Sequence, residues 1–228
     1  MRAGQTLVAS DGYEVALFPL EALYDYQDEG VGTHINTYNI DFHGYRWNGS
    51  SWVRQNNAPL YAPCTCKVVY VYPSGEGGGH GRCFQSVNPV HTPGGLRYIM
   101  FFYGHDPNPP YNSVGQVVHQ GDLIYHTGTY GIATGDHVHT GAGEGQWISW
   151  RASYTTRPGG HEDLTNRVHY WNGLYVNDTV ISQGYGHNWK TWTEPTPTPT
   201  PTPPVIGGDG GFPWFIYYNR WKRNLRWI

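Results

Sequence analysis

Apolar and polar residues change places along this chain over short runs, each closed by Gly, Pro, Asn or Asp. Residues 57–73, NAPLYAPCTCKVVYVYP, give a turn and then an alternating strand. Residues 95–106, GLRYIMFFYGHD, give a further strand that stops at a turn-rich DPNPPYN. Residues 115–145, GQVVHQGDLIYHTGTYGIATGDHVHTGAGEG, read as strand, tight turn, strand, glycine loop and strand. Gly121–Asp122, Gly128, Gly131 and Gly135 supply the turn conformations there. Residues 164–180 hold either a helix or another hairpin, and the pattern leaves both open. No repeat of 20–50 residues is visible.

Composition supports strands over helices. Charged residues make up only 14% and aromatics 16%, with 31 Gly and 17 Pro. Lys, Glu, Arg and Ala are too scarce for long surface helices, whereas Val, Tyr and Trp suit strands joined by turns. The formal net charge of −3 gives the chain as a whole no polyanion-binding character, so nucleic acid is not an expected partner.

The start, MRAGQTLVASDGYEVALF, has no apolar region behind its single Arg, so no signal peptide is expected. No run of 18 apolar residues exists to span a membrane. Synthesis in the cytosol is the expectation, with another agent delivering the chain if its target lies outside. Three Cys without a leader do not suggest a disulfide framework.

One boundary is plain. Residues 194–204, EPTPTPTPTPP, are a Thr-Pro repeat, which extends as a semi-rigid polyproline spacer. It separates a body, residues 1–193, from a tail, residues 205–228. The tail is aromatic and basic, with Arg220, Lys222, Arg223 and Arg226 and no acid after Asp209. That character suits an anionic membrane surface or a wall polymer, and equally a protein-docking or disordered segment.

Twelve histidines are many for 228 residues, and position separates them. In TGDHVHTG, His137 and His139 share one face if the segment is extended. Adjacent imidazoles make a poor structural pair, because protonating one disfavours protonating the other. Neutral imidazole is also the commonest protein metal ligand. Residues 33–44, THINTYNIDFHG, add His34, Asp41 and His43. Asp41 lies between Ile40 and Phe42, where a buried carboxylate needs a cation beside it. His105 ends the aromatic strand. The helical H-E-x-x-H arrangement of another metalloprotease class is absent.

Taken together, YAPCTCKVVYVY, YGHD and VGQVVHQGDLIYHTGTYGIATGDHVHTG resemble the lysostaphin/LytM-type zinc endopeptidases over about residues 30–145. The GTHINTYNIDF start and the YVNDT extension are similar to phage-lysin versions. The resemblance implies a mainly antiparallel all-β fold with long loops. It also implies hydrolysis of peptide bonds in bacterial peptidoglycan stems or cross-bridges, as by an endolysin or tail-associated lysin acting on the wall outside the cell. Zn²⁺ would be held by His34, Asp41 and His139, with His105 and His137 as the two catalytic histidines acting on water or the oxyanion. The glycine loop at residues 128–135 would form one groove wall, with Tyr130 and His126 as substrate contacts; Tyr38, Tyr45, Trp47 and Trp52 either line the groove or pack under loops.

The chain departs from the family in one respect. The usual spacing is H-x-x-x-D, and here Thr37 stands where the histidine belongs, with His34 seven residues before Asp41. His34 is the favoured first ligand and His43 the alternative. The same departure keeps open a degenerate, non-catalytic LytM-type module that binds wall or regulates an amidase. A structural zinc on Cys64, Cys66, Cys83 and His80 can be drawn, but reduced core cysteines are the default.

Overall fold

The computed structural model describes residues 1–28, 32–34, 39–72, 80–147, 154–156, 162–164, 167–168, 173–182 and 187–196. The chain divides into two compact units, Met1–Glu194 and Pro195–Ile228. Tyr38, His161, His169, most of residues 164–172, the linker beyond Thr196 and the tail lie outside the described residues. No helix among the described residues is long and apolar enough to cross a membrane.

The first unit is built of strands. In chain order they are β1 (Ala22–Gln27), β2 (Ile40–Trp47), β3 (Trp52–Arg54), β4 (Pro59–Tyr61), β5 (Cys66–Val71), β6 (Arg82–Ser86), β7 (Val90–Thr92) and β8 (Gly95–Arg97). There follow β9 (Ile99–Gly104), β10 (Val117–Val118), β11 (Leu123–His126), β12 (Val138–Glu144), β13 (Tyr154–Thr156), β14 (Glu162–Leu164), β15 (Arg167–Val168) and β16 (Val180–Ile181). Among the described residues, the main sheet runs β10-β5-β6-β9-β12-β2-β1-β16, with β15 also on β12 and β3 also on β2. Every pairing is antiparallel except β1 with β16. The expected mainly antiparallel all-β architecture is what the chain adopts.

The strands assigned from the sequence are all present. Residues 115–145 form β10, β11 and β12, with the glycine loop between the last two. β9 is buried at every position, IMFFYG, as befits an inner strand covered on both faces. β2 is two-sided in another sense. Ile40 and Phe42 join the main core with Phe18, Phe84, Phe101, Tyr103 and Tyr125. Asp41 and His43 alternate with them onto the opposite face and are buried there as well. β2 runs close to residue 58 at Gly44, where an added Cβ would lie 2.1 Å from that of Ala58.

The cysteine alternative is not realised. Cys64 and Cys66 lie in the main core, and Cys83 packs in a smaller cluster with Tyr72 and Phe102. None is in a disulfide, and all three are buried. Burial pushes the Cys64 and Cys66 thiols well above their ordinary pKa. His80, the fourth residue of that drawing, instead places Nδ1 2.7 Å from the Pro107 carbonyl.

Candidate metal centre

β12 lies between β9 and β2, and its register sets up the site. His139 pairs with Asp41 on one side and with Gly104, the last residue of β9, on the other. His34, in a short 3₁₀ turn at Gly32–His34, reaches the same place. One donor atom each from His34, Asp41 and His139 lie within 4.8 Å of one another. His139 Nδ1 is 2.9 Å from Asp41 Oδ1, and His34 Nε2 is 3.5 Å from Asp41 Oδ2.

His105 and His137 stand at the rim of this cluster. Their ring centroids are 4.5 Å apart, and His105 is 5.8 Å from His139. His137 Nε2 is 3.6 Å from Asp41 Oδ2. Each ring is aimed by its other nitrogen. His105 Nδ1 is 2.8 Å from the Tyr130 carbonyl, and His137 Nδ1 is 2.7 Å from that of Gly135. A carbonyl only accepts, so both Nδ1 atoms carry a proton and both Nε2 atoms are free of these main-chain contacts.

His105 has φ +83, in the left-handed region that non-glycine residues rarely occupy. The Tyr130 N–H donates to the His105 carbonyl at 3.0 Å and helps hold it there. Gly128 completes the brace. Its N–H and carbonyl exchange hydrogen bonds with those of His137 at 2.9 and 3.0 Å. The place where its Cβ would stand is 2.1 Å from the His105 carbonyl oxygen. Only glycine fits between the two histidine main chains.

Burial favours the neutral form of two of the imidazoles. Burial lowers the pKa of His34 and of His105 to about 4. Burial works against the Asp41 charge too, but the His139 hydrogen bond and the neighbouring imidazoles hold its pKa below the ordinary carboxylate value. Asp41 is therefore an ionised, buried carboxylate whose ion-pair neighbours among the described residues are all imidazoles. His34 adds a buried Nδ1 without a hydrogen bond of normal geometry. A buried carboxylate ringed by imidazole nitrogens fits a divalent cation, and two imidazoles with one carboxylate are a donor set that zinc takes.

The structure groups His34 with Asp41 and His139; His43 goes elsewhere. Arg54 Nη2 is 3.3 Å from His43 Nε2, and Tyr26 stacks on the His43 ring at 4.3 Å. Burial, then the Arg54 charge, lowers the His43 pKa to about 4. His126 is also engaged elsewhere, its main-chain N–H and Nδ1 both on Asp106 Oδ2 at 2.8 and 3.0 Å. Tyr130 is 38% exposed and stacks on His80 at 4.3 Å, while its main chain aims His105. Of the aromatics, Tyr45 stacks on Tyr24, and Trp47 meets Trp52 edge-on at the β2–β3 turn.

Two contributors were not singled out in the sequence. Arg54 bridges His43 and the Asp136 carbonyl, the latter at 2.8 Å. The Asp136 carboxylate accepts from Thr127 Oγ1 at 2.5 Å and from the Asn57 N–H at 3.0 Å, fixing the turn that leads into His137. Asp136 adjoins the H-x-H pair and could have been suspected on that ground; Arg54 carried no signal.

No protein-family model matches the chain. Morphogenesis protein 1 of Bacillus phage B103 is 32% identical over 184 residues, covering 80% of this chain and 46% of the relative. The chain thus spans about half the length of that curated relative. Among solved structures, the catalytic domain of the antimicrobial peptidase lysostaphin from Staphylococcus simulans is similar with a TM-score of 0.38 at 21% identity, over 55% of this chain and 80% of that one. A variant catalytic domain of the prophage-encoded M23 protein EnpA from Enterococcus faecalis gives 0.38 at 18%, over 61% and 86%. A zinc-containing peptidase from Vibrio cholerae gives 0.37 at 18%, over 61% and 43%.

Proposed function

We propose that the chain is a zinc-dependent endopeptidase that hydrolyses peptide bonds in bacterial peptidoglycan, acting as a phage-type endolysin or tail-associated lysin. The observation that carries this reading is the convergence of His34, Asp41 and His139 with two further histidines whose Nδ1 atoms are held by main-chain carbonyls. His34, Asp41 and His139 would hold the ion, which when bound supplies Lewis acidity toward a peptide carbonyl and toward water. With Nδ1 on a carbonyl, His105 and His137 would each use Nε2 to take a proton from water and return it to the departing amine. Once protonated, the same atoms become donors for the oxyanion. Tyr130 and Gly135 fix the ring orientations through their carbonyls, so neither imidazole spends its base on a structural contact.

The substrate assignment rests on the glycine-loop and H-x-H motifs and on the partial likeness to a phage morphogenesis protein. The seven-residue spacing that keeps open a non-catalytic wall-binding or amidase-regulating module weighs less, because His34 Nε2 comes within 3.5 Å of Asp41. Residues 1–193 are proposed as the catalytic body, and 205–228 as a targeting tail for an anionic membrane or wall polymer.

Metal analysis and mass spectrometry of digested peptidoglycan test the reading. His137→Ala should keep its zinc and lose turnover by roughly 10²–10⁴-fold, the range of a positioned acid–base group. His139→Ala should lose turnover together with the zinc held at this centre. A folded Asp41→Asn/His139→Ala protein with as much zinc as the wild type, or no new peptide ends from the wild type, would overturn it.

A further inference from the structure

A second group of metal-type donors lies one strand away from the first. Asp25 is on β1, directly opposite Phe42 of β2, so its side chain enters the apolar side of the sheet rather than the His34 side. It has no exposed surface. His187 Nε2 is 3.1 Å from Asp25 Oδ2 and 3.1 Å from Asp28 Oδ2. Donor atoms of all three residues fall within 4.8 Å of one another. Donors bound tetrahedrally at zinc distances sit roughly 3.2–3.6 Å apart, so the spacing suits an ion as well as a hydrogen bond.

A second observation separates this group from an ordinary His–Asp contact. Asp25 Oδ1 is buried and has no hydrogen-bond partner. A carboxylate oxygen stranded in an apolar layer is costly unless a cation takes it up. Burial, then the charges of Asp28 and Asp41, raise the Asp25 pKa to about 8. The surroundings are those of a closed site. The His187 ring meets Trp189 edge-on at 5.5 Å, Trp189 meets Phe18 at 5.6 Å, and Phe18 meets Phe42 at 5.3 Å.

We propose that Asp25, Asp28 and His187 form a second divalent-metal site, structural in role, which takes zinc and clasps the segment at residues 187–194 to β1. β1 carries Gln27 opposite Asp41, so an ion here also steadies the strand that presents the carboxylate of the first centre. Two carboxylates and one imidazole form an N/O donor set of the kind zinc accepts. The competing way to balance the charge is a proton shared among the three side chains, and the experiment separates the two.

The tag-free full chain is loaded with zinc, freed of excess by dialysis, and its metal counted. His187→Ala should lower the zinc content by one equivalent. An Asp41→Asn/His139→Ala protein, with the first centre removed, should retain one equivalent whatever the first centre does, and adding His187→Ala should bring it to none. No zinc in the folded double variant, or zinc that survives the added His187→Ala, would overturn the proposal and leave a proton as the occupant. If His187→Ala does not fold, X-ray absorption of the zinc in the double variant decides. A light-atom N/O shell with a single imidazole is expected, and a shell containing sulfur or several imidazoles would overturn the site.

Discussion

Gly128 occupies a position that a single methyl group would disrupt. The Gly128→Ala side chain would meet the His105 carbonyl oxygen, itself held by a strained residue, and would push against the main chain that pairs with His137. Overpacking of this kind typically costs about 1–3 kcal/mol. The protein should still fold and bind zinc, while peptide hydrolysis falls at least about tenfold, as expected when reacting groups lose their alignment. Normal turnover in Gly128→Ala would mean that the brace between the two histidines is unimportant. At this scale the sequence was informative where a residue's neighbours in the chain are also its neighbours in space. His137 and His139 were readable because alternation alone puts them together. His34 could be placed only by a turn, since seven residues of chain do not define a direction. Arg54 was invisible, because its partners, His43 and Asp136, come from two other segments.

Strand register is what makes the site. His139 faces Asp41 as a direct cross-strand pair, and Thr140, the next residue, buries its side chain fully. A slip of one residue would send His139 to the far face and dismantle the centre. The register is secured by β9, which pairs with six consecutive residues of β12 and is buried throughout. Phe101 of β9 stacks on Phe84 and packs at a tilt against Tyr103 in the main core. Phe101→Ala should therefore cost about 3–5 kcal/mol, seen as a lower denaturant midpoint, and should lower zinc affinity with it. The strands themselves were legible from alternation and turn residues, above all β9 to β12. Their order in the sheet was not, because β12 joins β2 across nearly a hundred residues and nothing local encodes that partnership. The burial of β6 was also hidden, since RCFQS reads as a mixed segment although every position is buried.

At the scale of the whole molecule, the two units invite separate tests. Deletion of residues 195–228 should leave cleavage of a soluble peptidoglycan fragment unchanged and lower activity on intact cells. Equal activity on cells would remove the targeting role from the tail. The Thr-Pro boundary was legible because proline's fixed φ and missing amide donor act locally, without help from any distant contact.

The pairing of β16 with β1 has a consequence for solubility. Among the described residues, the path of the main sheet ends in β10 on one side and β16 on the other, each only two residues long. So short a rim offers little open backbone for a neighbouring molecule to zip onto. Removing residues 173–196 would uncover β1, six residues long, as a naked border. Such a chain should form oligomers visible by light scattering at concentrations where the intact protein stays monodisperse.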